Sequence, residues 1–292
     1  MLVTLKDILA KAEEGNYAVG AFNSPTLESA RAAVEAAEEL QVPIILSHAE
    51  VHFEITPLEI MGPILVNLAK GASVPIAVHL DHGSSIDHVK KAIDIGFSSV
   101  MIDASHMSYE DNIRTVQEVV EYAQKHNVSV EAELGMMTSS GIGGEETAGS
   151  VHLDGDSVDY YTDPSIAKDF VERTNIDGLA ASFGTVHGIY LKEPNLDFNR
   201  LREIYKNIQR PVVMHGGSGL SEEDYTEAIH SGVRKINYYS YAAKAGASAV
   251  KEYIEKEPNL FYHDLVVVAK AALKEDLKRA MKIFSNKSQA LK

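Results

Sequence analysis

The chain has no cysteine among its 292 residues, which rules out any disulfide. A closed structural zinc site, which usually includes cysteine ligands, is disfavoured for the same reason. Positive charge is also short: 27 Lys and Arg stand against 42 Asp and Glu, giving a formal net charge of −15. Nonspecific binding to nucleic acid depends on neutralising phosphates and is not expected of such a chain. An acidic protein still binds anionic substrates where a metal, backbone amides or helix N-termini supply local positive potential. Long hydrophobic runs are missing too, none approaching the roughly 18 consecutive apolar residues of a membrane span. The N-terminal stretch MLVTLKDILAKAEEGNY reads as an amphipathic helix carrying acids, not as a signal peptide. The expectation is a soluble cytoplasmic protein with no membrane partner.

What is present is a repeated unit. Apolar runs recur at Tyr17–Asn23, Pro43–Ala49, Val74–Asp81, Ser99–Ser105, Val128–Gly135, Gly178–Gly184, Pro211–Gly217 and Arg234–Ser240. Most are followed by helical spacing, as in Leu27–Leu40, Ile86–Ile95, Tyr109–His126 and Ser165–Thr174. Strand then helix, eight times over, predicts an α/β fold: a closed parallel (β/α)8 barrel forming one domain over residues 1–292. The rival, an open doubly wound sheet, usually carries GxGxxG after its first strand, and this chain reads GAFNSPT there. Residues 136–162 form a long interval rich in glycine and serine with several acids, and an interval of that length in a compact domain is usually a functional lid or a disordered segment. Two further helices, near Tyr241–Glu255 and His263–Phe284, are expected to pack on the barrel or on another subunit.

In a barrel of this kind the working groups sit at the C-terminal strand ends. Here those ends carry Asn23, Ser47, Asp81 and His82, Asp103, Glu133, His187, His215 and Asn237. His82, His187 and His215 provide three imidazoles with a fourth position open, the donor set of a catalytic divalent metal and most often of zinc. Asp81 suits proton transfer beside the metal, or an N-cap for the helix after it. Glu131 and Glu133 share one strand face, and lysine or arginine partners are scarce in these strands. The expectation is therefore contact with the metal or with its ligands. His79 is expected to point away from His82, since residues three apart on a strand face opposite ways. His48, His52, His88, His126, His230 and His263 read as surface or packing residues. The HGGSG turn at 215–219 brings backbone amides within reach of an anion, and Gly188 follows His187 in the same way.

These residues fall in stretches that match a family in order along nearly the whole chain: YAVGAFN, HLDHG, SVMIDASH, VEAELG, GGEE, YTDP, GTVHGIY, LDFNRL, VVMHGGSG and KIN. The chain resembles the class II, metal-dependent fructose- and tagatose-bisphosphate aldolases. The resemblance implies a zinc-dependent aldolase that reversibly cleaves a ketose 1-phosphate or 1,6-bisphosphate. The products would be dihydroxyacetone phosphate and an aldehyde such as glyceraldehyde 3-phosphate. It implies Zn2+ (with Co2+ or a similar divalent ion as substitute) on His82, His187 and His215, and an alternate or second metal position near Asp103 and Glu133. Asp81 would handle the C4 hydroxyl proton, and Glu146 on the long loop, rather than its neighbour Glu145, the proton at the nucleophilic carbon. Gly188, Ser218 and Ser240 would meet the phosphate together with the glycines Gly216 and Gly217. Asn237 would meet the carbon skeleton, with Asn23 and Ser47 at neighbouring strand ends. Val186, Gly216 and Ser218 would hold Na+ or K+. A homodimer or homotetramer is implied.

One departure is visible. Family members commonly have an acidic and then a basic residue after the eighth strand, where this chain has Tyr241 and Ala243. The expected far wall of the site is Tyr238, Tyr239 or Tyr241, with Lys192 and Arg234 as remaining candidates to meet a second phosphate. Two other readings use the same residues: an aldolase of this family with a different distal group, and a metal-dependent sugar-phosphate isomerase or epimerase.

Overall fold

The structure is a computed structural model and describes residues 1–142 and 160–286. In α1 (Leu5–Gly15) the apolar residues Leu5, Ile8, Leu9 and Ala12 recur at helical spacing and all are buried. Thr4 caps its first turn by accepting from the Asp7 backbone amide. That apolar face packs against Val19, Ala21, Ile45 and Ala77, so α1 closes the N-terminal mouth of the barrel.

The eight barrel strands are β1 (Val19–Asn23), β2 (Ile44–Ala49), β3 (Ile76–Gly83), β4 (Ser99–Ile102), β5 (Ser129–Leu134), β7 (Gly178–Ala181), β9 (Val212–Met214) and β10 (Val233–Tyr238). All pair in parallel, and β1 pairs with both β2 and β10, closing the barrel. A strand with one face in the barrel and the other under helices is buried on both, which is why these runs are nearly continuous in apolar residues. The helices between them are α2 (Leu27–Leu40), α3 (Leu58–Gly71), α4 (Ile86–Ile95), α5 (Tyr109–Lys125), α6 (Pro164–Thr174), α7 (Phe198–Ile208) and α8 (Glu222–His230). A 3-10 turn at Glu50–Glu54 comes after β2.

Two short strands, β6 (Thr138–Ser139) and β8 (Val186–His187), pair outside the barrel. The last two helices are α9 (Ser240–Lys256) and α10 (Tyr262–Phe284). The C-terminal half of α10 buries Leu277, Ala280, Met281 and Phe284, and Phe284 stacks edge-on against Tyr225 and Tyr238. This helix therefore packs on the barrel. None of the described helices is long and apolar enough to cross a membrane.

Candidate active site

The site is assembled at the C-terminal strand ends, and β3 shows how. Period 2 turns His79 and Asp81 into the barrel. His82 should then face outward. Instead the pairing of β3 with β4 shifts register between Leu80 and Gly83, and His82 takes a left-handed backbone with φ of 48°. Both features swing its ring back inward, so His79 and His82 share the interior, contrary to the alternation argument. A non-glycine residue held there costs of order 1–3 kcal/mol, a strain that concentrates at functional positions.

His215 comes directly after β9. His187 does not end a barrel strand as expected. Strand β7 stops at Ala181, Phe183 drops into the core, and Gly184 turns the chain at φ of 115°. His187 then sits on β8, paired with Ser139 of β6. Even so, ligand atoms of His82, His187 and His215 all lie within 4.8 Å of one another.

The outer nitrogens of two rings are fixed by carboxylates. His82 Nδ1 donates to Asp103 Oδ2 at 2.9 Å, and His215 Nε2 donates to Glu131 Oε1 at 2.8 Å. Each bond selects the tautomer that leaves the other nitrogen as a donor of its lone pair. Those two lone-pair nitrogens, His82 Nε2 and His215 Nδ1, face each other at 2.8 Å. They need a cation between them, a proton or a metal. Nδ1 of His187 is buried with no hydrogen-bond partner. Three imidazoles and an open side fit a divalent metal of catalytic type.

The carboxylates divide into two kinds. Burial opposes the charge on Asp81, but His82, His215, Lys235 and His79 outweigh it and hold Asp81 well below the usual carboxylate range. Asn23 Nδ2 and Asn237 Nδ2 donate to its two oxygens at 3.0 and 3.1 Å. Glu133 goes the other way: burial and the neighbouring Asp103 raise it well above its ordinary value, and its Oε2 has no partner. Burial works against a charge on His82 too, but Asp81, Asp103 and Glu133 raise it to about 10.

Glu131 corrects the sequence reading in part. It accepts from His215, yet it is also salt-bridged to Lys235, whose Nζ lies 3.0 and 2.8 Å from its two oxygens. Both side chains are fully buried. Lys235 lies near the start of β10, and period 2 puts it on the same inward face as Asn237; that spacing was the available signal. Burial would raise Glu131, but Lys235 and His79 hold it down at about 2.

A model of the family described as fructose-bisphosphate aldolase class-II matches residues 3–289. A fructose-bisphosphate aldolase of Staphylococcus aureus is 39% identical over 295 residues, covering 99% of each chain. One from Geobacillus stearothermophilus is 42% identical over 268 residues, covering 89% of this chain and 88% of its own. The chain belongs to the class II fructose-bisphosphate aldolase family. Among solved structures, the YdjI aldolase from Escherichia coli K12 matches with a TM-score of 0.84 at 32% identity, over 97% of each chain. A putative fructose-1,6-biphosphate aldolase from Coccidioides immitis also gives 0.84, at 29% identity over 96% of this chain and 95% of its own. The protein is thus a class II aldolase, an aldehyde-lyase of a metal-dependent family.

In this aldolase one pocket is lined by Asn23, Asp81, His82, His187, Gly188, Gly216, Ser218, Asn237, Tyr238, Tyr239 and Ser240. Ser47 and Gly217 lie outside that lining. Ser47 is buried on β2, its hydroxyl without a partner, and Gly217 packs its backbone against β10. Gly216 has φ of 62°, and a Cβ there would stand 2.6 Å from the Val186 carbonyl oxygen, so only glycine fits. Tyr190, absent from the sequence reading, braces this turn by donating to Gly216 O at 2.9 Å and accepting from Val186 N at 3.1 Å. Ser218 Oγ accepts from the Tyr239 amide at 2.8 Å, tying the turn to the start of α9. Asp81 is not a helix cap; Ser85 caps α4. Glu145 and Glu146 lie outside the described residues.

Three expectations about the far wall change. Tyr238 borders the pocket, but its ring packs edge-on against Phe22 and Phe284 and its hydroxyl donates to Asp276 at 2.7 Å, away from the site. Tyr241 lays its ring over Gly219 and is outside the lining. Tyr239 is left to form the wall, packed edge-on against His52 with ring centroids 4.8 Å apart. Arg234 is at the opposite end of its strand, donating to Glu13 at 2.8 Å, Asn16 at 3.1 Å and Ile229 O at 2.7 Å.

Proposed function

We propose that this aldolase reversibly cleaves a ketose 1-phosphate or 1,6-bisphosphate, of the fructose or tagatose type, into dihydroxyacetone phosphate and an aldehyde. The observation that carries the reading is the convergence of His82, His187 and His215 within 4.8 Å, with Asp81 ionised beside them. Those histidines would hold Zn2+, or Co2+ in its place, with Asp103 and Glu133 as an alternate seat around His82. A divalent ion seated there supplies Lewis acidity to the oxygens of the three-carbon fragment as charge builds on it.

The chain's own residues do the rest. Asp81, steadied by Asn23 and Asn237, takes the proton of the C4 hydroxyl. The C3–C4 bond breaks, the aldehyde departs, and Glu146 returns a proton to C3. The C1 phosphate rests on Gly188, the 216–218 turn, Ser218 and Ser240. The start of α9 favours an anion there, because its first turn has no side-chain cap. Asn237 meets the carbon skeleton. The Val186 carbonyl, Gly216 and Ser218 would take Na+ or K+. The whole chain works as one barrel domain, as a homodimer or homotetramer, in the cytoplasm.

The test is deuterium wash-in from heavy water into dihydroxyacetone phosphate, followed by NMR on zinc-loaded protein. Exchange at the nucleophilic carbon is expected. Its absence, together with no dihydroxyacetone phosphate release from any ketose 1-phosphate, would remove the assignment.

A further inference from the structure

Among the described residues lining the pocket, the groups suited to an anion lie at one end. The glycine-rich turn and the start of α9 converge beside Ser218 and Ser240. At α2, α4, α5, α6, α7 and α8 a side chain already occupies the first-turn amides (Thr26, Ser85, Ser108, Asp163, Asp197 and Ser221), while α3, which follows Pro57 without such a cap, contributes nothing to the pocket lining. Among the described residues no lysine or arginine lines the pocket.

The nearby cations are committed elsewhere. Lys235 lies beneath the site and is held by Glu131. Arg200 donates to Asp197 at 3.2 Å and to Thr162 O at 3.2 Å. Arg279 donates to Asp276 at 3.0 Å and to the Tyr238 hydroxyl at 3.1 Å, behind β10. Lys192 and Lys244 are exposed and outside the lining. Among the described residues of the chain, a second phosphate dianion would thus meet the Tyr239 ring with no lysine or arginine in the lining to pair with. A phenol suits a neutral hydroxylated group, whereas dianions are recognised by charge-assisted bonds.

We infer that the far half of the substrate is uncharged and hydroxylated, so that the physiological substrate is a ketose 1-phosphate without a distal phosphate. This rests on the aldolase reading above and narrows it. Tyr239, set against His52, is the specificity-determining residue at that end.

The experiment compares kcat/KM of zinc-loaded protein for fructose 1-phosphate, fructose 1,6-bisphosphate and tagatose 1,6-bisphosphate, with dihydroxyacetone phosphate release as readout. The monophosphate should be used at least as well as either bisphosphate, and Tyr239→Lys should raise the bisphosphate-to-monophosphate ratio at least tenfold. A preference for either bisphosphate over the monophosphate in the parent protein would overturn the inference. An unchanged ratio in Tyr239→Lys would overturn the role given to Tyr239. Deuterium exchange separates this failure from that of the aldolase assignment, because exchange persists when only the distal half has been misjudged.

Discussion

Lys235→Met should be one of the most damaging single changes in this barrel. The lysine is fully buried and sits 3.0 and 2.8 Å from the two oxygens of Glu131, itself fully buried. Methionine fills similar space, so no large cavity results. What remains is a carboxylate in the barrel interior with only the His215 N–H and neighbouring imidazoles around it. Breaking one partner from a buried pair costs about 3–5 kcal/mol, and the surviving His215 bond places this case near the lower figure. The double variant Lys235→Met/Glu131→Gln removes the stranded charge and should recover most of the loss, ending within about 1.5 kcal/mol of the parent, because replacing a whole buried pair is often close to neutral. Urea unfolding at fixed protein and zinc concentration measures all three, since bound metal and assembly shift apparent stability. A Lys235→Met protein within about 1 kcal/mol of the parent would mean that the buried charge is met in some other way. A double variant as unstable as the single one would mean that the loss never came from the stranded carboxylate.

Glu146→Gln should lower turnover by about two to four orders of magnitude, the span for losing general acid–base help, with zinc content unchanged; a full loss in Glu145→Gln instead would reverse the assignment within that pair. Asp81→Ala should abolish cleavage while leaving deuterium exchange into dihydroxyacetone phosphate partly intact, and equal loss of both would mean that Asp81 mainly orders the metal site. His48, buried and donating to Thr56 O at 3.0 Å, is pushed down to about 4 chiefly by burial. Its folded value is depressed, so its contribution is fully present above the unfolded value near 6.5 and is lost as pH falls towards 4, up to roughly 3 kcal/mol. His48→Gln should flatten the stability profile across that window, and an unchanged slope would show that another group titrates there.

The barrel was legible in the sequence because strands buried on both faces must be apolar throughout, and because polar residues broke each run at the end where chemistry sits. That logic located Asn23, Asp81 and Asn237 on their strands and His215 directly after its strand. It failed where the backbone leaves regular geometry. Nothing in HLDHG announces the register shift and left-handed His82 that bring His79, Asp81 and His82 to one interior. Gly184 permitted, but did not require, the turn that carries His187 off the barrel onto β8. Lys235 reads as no more than the start of a strand, although its spacing from Asn237 puts it inside. Tyr238, Tyr239 and Tyr241 look alike in sequence, and only the packing of β10 against α10 and of α9 against Gly219 separates them.

Everything proposed for the chemistry depends on three histidines holding a catalytic divalent metal, and the sharpest check is to titrate zinc back into chelator-stripped protein. Turnover should be absent at the start, rise linearly with added zinc and level off near one ion per chain by elemental analysis, while His187→Ala neither retains the ion nor turns over. Full cleavage activity in protein shown to contain no metal would mean that the three histidines serve some other purpose.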